Sequence, residues 1–206
     1  MFLGTANYHN LPMLVKNLAA GNSEKCYVND KNDRHFSQQR VLTTPYHYAY
    51  LKIAEGCDNR CTYCAIPNIR GKYTSRPIED IVEEARSLIR DYGIKELILV
   101  AQDVSRYGLD IYGEIRLIDL LEELSKLDVK WLRLLYLYPE LVDERLIEYM
   151  AANPKICKYI DIPCQHVSDK ILKLMNRRVT KNQIVDLITM IRERGDFTIR
   201  STFIVG

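Results

Sequence analysis

The chain has no excess of charge of one sign: 29 Lys and Arg stand against 27 Asp and Glu, a net +2 over 206 residues. No global field therefore draws it to nucleic acid or to a membrane surface. Long hydrophobic runs are missing as well. The longest apolar stretches are strand-length, far short of the ~20 residues a membrane helix needs, so no membrane partner is expected. The N-terminus lacks a basic region followed by an apolar core, the mark of a secretory signal. With nothing to indicate export, the six cysteines are expected as reduced thiols in the cytoplasm rather than as a disulfide framework. The rest is ordinary for a soluble globular protein, at 47% hydrophobic and 27% charged residues, and the length allows one sizeable core.

Three of those cysteines crowd into the stretch Glu55-Gly56-Cys57-Asp58-Asn59-Arg60-Cys61-Thr62-Tyr63-Cys64-Ala65-Ile66-Pro67. Thiolates this close serve a metal or a reaction. A structural zinc site closes with four protein ligands, and no fourth cysteine or histidine follows within the loop. An iron–sulfur cubane takes one thiolate per iron, so three cysteines leave one iron open. Positions 57, 61 and 64 also have the i, i+4, i+7 spacing of a buried helical stripe. Against that, Gly56, Asp58, Asn59 and Pro67 punctuate a loop. A three-cysteine cluster site, with Cys57, Cys61 and Cys64 as metal ligands, is the reading adopted; a zinc-binding structural module is its rival from another class.

Leu11, Leu14, Val15 and Leu18 form a helical stripe that stops at Gly21. Residues 29–40 are polar and turn-rich, the composition of a linker or surface loop; His35 within it and Cys26 just ahead of it are isolated. From residue 46 the texture changes to alternating strands and helices. Tyr48–Ala54 reads as a strand leading into the cysteine loop. Pro77 suits a first helical position, Glu79 and Asp80 favour the positive end of the dipole, and the helical period runs to Gly93. Glu96–Ala101 is a continuous apolar run, as in a parallel strand covered on both faces. Leu117–Leu127 and Asp143–Ala151 are helical; Lys130–Tyr138 and Lys158–Pro163 are strand-like. Ser168–Met175 is a short helix, Thr180 to Gln183 has the capping-box pattern opening a helix to about Arg194, and Phe197–Val205 is a fifth strand. The fold class is therefore α/β, a parallel (βα) barrel or partial barrel.

Such barrels carry reactive residues where strands end, at the C-terminal rim. The second strand ends at Gln102 and Asp103, and the fourth at Gln165 and His166. Polar residues recurring on one rim beside a cysteine loop mark it as a site. Cys164, equally suited to a core, is left out.

C-x3-C-x2-C with an aromatic before the last cysteine resembles the signature of the radical S-adenosylmethionine enzymes. The longer run, with Ile66-Pro67, Arg70-Gly71 and Ser75-Arg76-Pro77, resembles the methylthiotransferases among them. Three segments then resemble the enzymes that modify an aspartate of ribosomal protein S twelve (small subunit) rather than those that modify a tRNA adenosine. These are Ala101 to Gly108, Leu135-Tyr136-Leu137-Tyr138-Pro139 and Ile162 to Asp169. The resemblance is strong over about residues 46–206 and loose over 1–45. It implies a radical-type partial barrel, a [4Fe-4S] cluster held by Cys57, Cys61 and Cys64, and S-adenosylmethionine bound at its open iron. It also implies transfer of a methylthio group to the β-carbon of the aspartate, with a flavodoxin or ferredoxin as electron donor. Tyr63 would lie against the adenine, and Gln102 and Gln165 would make polar contacts to the bound cofactor. No residue is assigned as catalytic. Arg60, Arg70, Lys72 and Arg76 could offset thiolate charge and shift the cluster potential.

The sequence also departs from that family. Its members carry a second cluster on three N-terminal cysteines, whereas only Cys26 precedes the loop here. The chain stops at Thr202-Phe203-Ile204-Val205-Gly206, in mid-motif. The expectation is a fragment: residues 1–45 as the remnant of an N-terminal domain plus linker, and 46–206 as a radical core truncated after about the fifth strand.

Overall fold

The computed structural model describes residues 2–5, 7–21, 26–28 and 40–205. In chain order the elements are β1 (Phe2–Leu3), α1 (Leu11–Ala19), β2 (Cys26–Tyr27), β3 (Tyr48–Lys52), β4 (Ala54–Glu55), α2 (Ile66–Arg70), β5 (Thr74–Ser75), α3 (Ile78–Tyr92), β6 (Glu96–Val100), α4 (Leu109–Tyr112), α5 (Leu117–Ser125), β7 (Trp131–Leu134), α6 (Glu144–Ala152), β8 (Tyr159–Asp161), α7 (Asp169–Leu174), α8 (Lys181–Glu193) and β9 (Thr198–Arg200). Residues 29–39 of the expected linker, with His35, lie outside the described residues.

β3, β6 and β7 pair in parallel, Tyr48 opposite Glu96 and Glu96 opposite Trp131. β8 and β9 are likewise parallel. A parallel bridge between Leu132 and Ile156 and the hydrogen bond from Leu137 N–H to the Asp161 carbonyl join the two groups. The order β3-β6-β7-β8-β9 follows the chain, as the expected (βα) partial barrel requires. Ala49, Leu51, Leu97, Leu99, Leu132, Leu134 and Ile160 are buried. The helices bury their stripes with them: Ile81, Ala85 and Leu88 from α3, and Leu117, Leu120, Leu121 and Leu124 from α5. α6 adds Leu146, Ile147 and Met150, and α8 adds Ile184, Leu187 and Ile191. Each buried Leu, Ile or Met among them contributes about 1.5–3 kcal/mol.

Helix ends follow the local chemistry. Thr180 and Gln183 form the reciprocal capping box, and Asp143 accepts from the Leu146 N–H. Gly93 ends α3 in the left-handed region at φ 66°. Pro77 precedes α3 as its cap rather than opening it, because its ψ of 145° is extended.

The strands are shorter than their apolar runs. Tyr136 takes φ 61°, which ends β7 well before Tyr138. After Lys52 the chain leaves the parallel ladder, and β4 turns to pair antiparallel with β5, Ala54 opposite Ser75. Among the described residues beyond β9, the bridge between Gln165 and Phe203 continues the pairing. Ahead of all this, β1 and β2 make a separate parallel pair with α1 between them in sequence. No helix among the described residues is long and apolar enough to cross a membrane.

The turn after β6 is braced from behind. Asp110 accepts from the N–H and hydroxyl of Ser75 at 2.8 and 2.6 Å, and the Gly108 N–H donates to the same hydroxyl. Gly108 has φ +93°, and a Cβ there would lie 2.8 Å from Arg116 Cβ. Gly108→Ala is therefore expected to cost about 1–3 kcal/mol, read as a lowered denaturant midpoint of the full-length protein. An unchanged midpoint would show that the turn relaxes freely.

Candidate functional site

The cysteine loop begins where β4 leaves the sheet. Gly56 at φ 80° and Arg60 at φ 47° coil it into irregular backbone, so the three cysteines do not form a helical stripe. Its polar backbone groups are tied down on two sides. The Cys57 N–H donates to the Gly71 carbonyl, and the Thr62 N–H to that of Met175. The Thr62 hydroxyl donates to the Leu174 carbonyl, and the Asn176 amide to that of Arg60. The end of α7 thus clamps the loop's middle. Asn176 itself is left-handed at φ 56°, a conformation asparagine tolerates better than most residues.

Cys57 and Cys61 are buried and Cys64 is half-buried. Burial pushes the Cys57 thiol up, and the Asn59 N–H, 3.4 Å from its sulfur, pulls it back. The sulfur of Cys61 lies 3.8 Å from the Tyr138 hydroxyl and 3.9 Å from Nη1 of Arg177. Arg177 stacks on Tyr138 with its guanidinium carbon 4.2 Å from the ring centre, donates to the Pro163 carbonyl at 3.3 Å and faces Glu140 at 3.9 Å.

Among the described residues no three His, Cys, Asp or Glu side chains converge on a point where they could hold a metal ion. That geometry bears on the two ligand chemistries differently. A structural zinc ion needs its ligands gathered within about 2.3 Å of one atom. A cubane takes one thiolate per iron, so its cysteines stand apart around its faces. Three sulfurs on one loop, with hydrogen-bond donors directed at two of them, fit the second donor set.

A buried polar network holds the loop's other flank. Asp103, 1% exposed, accepts from the Asn59 amide at 3.1 Å and the Ser105 hydroxyl at 2.5 Å. Ser105 accepts from the Tyr138 N–H, and the Tyr73 hydroxyl donates to the Asp103 carbonyl. Burial pushes the Asp103 carboxyl up; the bonds from Ser105 and Asn59 pull it down. Asn59, Cys61, Asp103, Arg106, Tyr138 and Arg177 line part of a cleft of about 130 Å³ beside Cys61. Small-molecule sites run to about 300–1,000 Å³, so this cleft is sized for a few waters rather than a nucleoside.

The other expected site residues share this rim without closing on one another. Tyr63 is 45% exposed, and its phenol is pushed up to about 12, first by partial burial and then by the charge of Cys61. Gln102 follows β6, and its Oε1 is buried without a hydrogen-bond partner. Gln165, at φ 67°, bonds through its backbone to Thr202 and Ile204. The His166 ring accepts from the Ser168 N–H and so caps a turn. Cys164 is a core residue, 3% exposed. Of the four basic residues near the loop, Arg70 pairs with Glu55 and Arg76 with Glu84, both at 2.5 Å. Arg60 and Lys72 are exposed. Tyr138 and Arg177 went unnoticed as site residues because the fold alone brings them beside Cys61, from 77 and 116 positions away.

The sequence model of the radical SAM superfamily matches residues 51–206. A ribosomal protein uS12 methylthiotransferase (RimO) of Clostridium tetani is 50% identical over 208 residues, all of this chain and 47% of that protein. The protein of the same name from Alkaliphilus oremlandii is 58% identical over 169 residues, 81% of this chain and 38% of its own. The chain thus spans about half the length, or less, of these relatives. Among solved structures, the radical S-adenosylmethionine methyltransferase TsrM from Kitasatospora setae superposes with a TM-score of 0.67. It is 16% identical, over 97% of this chain and 44% of that one. The cobalamin-dependent S-adenosylmethionine radical enzyme OxsB gives 0.66 at 13% identity, over 97% of this chain and 32% of that one. At those identities the likeness is one of fold.

Proposed function

Because the chain belongs to the radical SAM superfamily, we propose that it is the radical core of a methylthiotransferase acting on an aspartate of ribosomal protein S twelve. The observation that carries the reading is the thiol loop of Cys57, Cys61 and Cys64 at the C-terminal rim of a parallel partial barrel. It occurs in a chain half identical to a protein of that name. The three thiolates would hold a [4Fe-4S] cluster, with S-adenosylmethionine at the iron they leave open. When bound, that pair supplies the one-electron chemistry by which an unactivated C–H bond is opened.

The chain's own residues bind, orient and exclude water. The α7 clamp on Arg60 and Thr62 and the Asp103 network on Asn59 hold the loop from opposite sides, so the sulfurs are placed before a cofactor arrives. Tyr63 is exposed beside Cys64 and would lie against the adenine. Gln102 and Gln165 would make polar contacts. The orphaned acceptor of Gln102 supports its part, since a buried acceptor left unpaired is costly. Gln102→Ala is expected to weaken S-adenosylmethionine binding by up to about tenfold, from ~0.5–1.5 kcal/mol of lost hydrogen bonding. Titration calorimetry on the loaded full-length protein reads this, and unchanged affinity would remove Gln102 from the set.

The same reading takes residues 1–45 as the end of a separate N-terminal unit and 46–206 as the radical core. The β1–β2 pair, which joins none of the strands from β3 onward, supports that division. In the longer relatives' context it implies a second [4Fe-4S] cluster, held outside this chain's cysteine loop. It also implies a flavodoxin or ferredoxin as electron donor and the cytoplasm as compartment. The deciding assay gives the anaerobically reconstituted full-length protein purified ribosomal protein S twelve and, separately, tRNA. A methylthio group found by mass spectrometry on an aspartate of the ribosomal protein is the expected result. Methylthio found only on tRNA would move the substrate to the adenosine-modifying enzymes.

A further inference from the structure

The three sulfurs of the loop do not have equal surroundings. Cys57 receives one neutral backbone N–H, from Asn59. Among the described residues Cys64 has no hydrogen-bond donor at its sulfur. Cys61 has the Tyr138 hydroxyl and the Arg177 guanidinium directed at it, with the Tyr63 phenol interacting from the loop itself, and of these the guanidinium carries a fixed positive charge.

Arg177 is an expensive residue to place there. Its side chain is 1% exposed, and a buried charge is tolerated only when paired and hydrogen-bonded. Its partners are partial: Glu140 at 3.9 Å, one carbonyl at 3.3 Å, the face of Tyr138, and an Nε with no acceptor. The protein's neutral groups do not complete its shell. Anionic sulfur at Cys61 does, and arginine is less strongly hydrated than lysine and stacks well on aromatic faces.

We propose that the stacked pair Arg177–Tyr138 is a positioning and potential-setting element for the cluster, acting through the sulfur of Cys61. This rests on the function proposed above and goes beyond it in naming which residues set the cluster's electronics. Hydrogen bonds and positive charge at a ligating sulfur withdraw electron density and favour the reduced cluster. The role expected from sequence for Arg70 and Arg76 therefore falls to a residue 116 positions from Cys61 in the chain. Arg70 and Arg76 are engaged by Glu55 and Glu84. Tyr138 serves twice, as a donor to the sulfur and as the plate that fixes the guanidinium. Its own backbone N–H is anchored by Ser105, which ties the pair to the Asp103 network.

The test is a redox titration of the reconstituted full-length protein, followed by electron paramagnetic resonance. Variants are Arg177→Gln, Arg177→Lys, Tyr138→Phe and Arg86→Gln. The expected order of the midpoint potential is wild type highest, Tyr138→Phe lower, and Arg177→Gln lowest. Arg177→Lys should fall between wild type and Arg177→Gln, since it keeps the charge and loses the planar fork. Arg86→Gln removes the same charge from the exposed face of α3, where Arg86 pairs with Glu83, and should stay at wild type. If Arg177→Gln proves too unstable to load, Tyr138→Phe still decides, because it removes one hydroxyl and leaves the stack. Loaded variants with the wild-type potential would overturn this inference and leave the proposed function standing. So would a loss of S-adenosylmethionine affinity with no change in potential, which would make Arg177 a ligand contact. A wild-type protein that takes up no iron would overturn the function itself.

Discussion

Single replacement of Cys57, Cys61 or Cys64 by alanine in the full-length protein is expected to remove one cluster's share of iron and sulfide. The signal of the reduced cluster goes with it, and methylthio transfer falls below detection. Each iron held by the loop would have one thiolate, and among the described residues no group of three His, Cys, Asp or Glu gathers that could hold a metal in its place. Folding should survive. Cys61 is 5% exposed, and trimming a buried thiol to a methyl is a small truncation, of about 1 kcal/mol. The controls are Cys157→Ala and Cys164→Ala. The Cys164 thiol donates to the Ile162 carbonyl in the core, and Cys157 follows the bridge of Leu132 with Ile156 at the far end of the sheet. Both variants should keep the wild-type iron content. Full iron in Cys61→Ala would show that the loop is not the ligand set. About one zinc per chain in the wild type, and no iron, would return the loop to the structural-module reading.

What could be read from the sequence and what could not divide along a physical line. The parallel strands and helices from Tyr48 to Arg200 were legible because each buries a face, and burial leaves a period in the sequence. The cysteine loop was legible because its three thiols lie within eight residues of sequence. Strand ends were less so. An apolar run such as Lys130–Tyr138 does not show that Tyr136 goes left-handed, since that turn is imposed by the chain packed around it. The β4–β5 pair was missed because two residues per strand carry no alternation to detect. The partners of Cys61 were invisible for a different reason. Tyr138 and Arg177 come from different βα units, and a tyrosine before a proline or an arginine after a short helix signals nothing until the barrel folds. Arg76 shows the converse error. Its nearness in sequence to the cysteines suggested a role beside the cluster, yet its side chain points into the core behind β3.

The burial of Arg76 sets the largest stability effect outside the cluster. Its side chain is 2% exposed and that of Glu84 is 4% exposed, and the two pair at 2.5 Å. The guanidinium also donates to the Lys52 carbonyl at 2.7 Å, where β3 leaves the sheet, and to that of Asp80 at 3.4 Å on α3. Arg40 reaches Glu84 from outside at 3.3 Å, and the Tyr107 hydroxyl donates to the Arg76 carbonyl. One buried charge pair thus locks β3, the start of α3 and the turn after β6 together, directly behind the cysteine loop. Removing Arg76 leaves Glu84 in the core with the partly exposed Arg40 as its remaining countercharge, a loss of up to about 3–5 kcal/mol. Arg76→Met is expected to show that loss as a lowered denaturant midpoint with the slope unchanged. Glu84→Gln should cost less, because the amide still accepts from Arg76 and removes only the countercharge. The double replacement Arg76→Met with Glu84→Leu should recover much of the stability, since apolar groups of similar volume need no partner. A double variant as unstable as Arg76→Met alone would show that the bond to Lys52, rather than the ion pair, holds β3 in place.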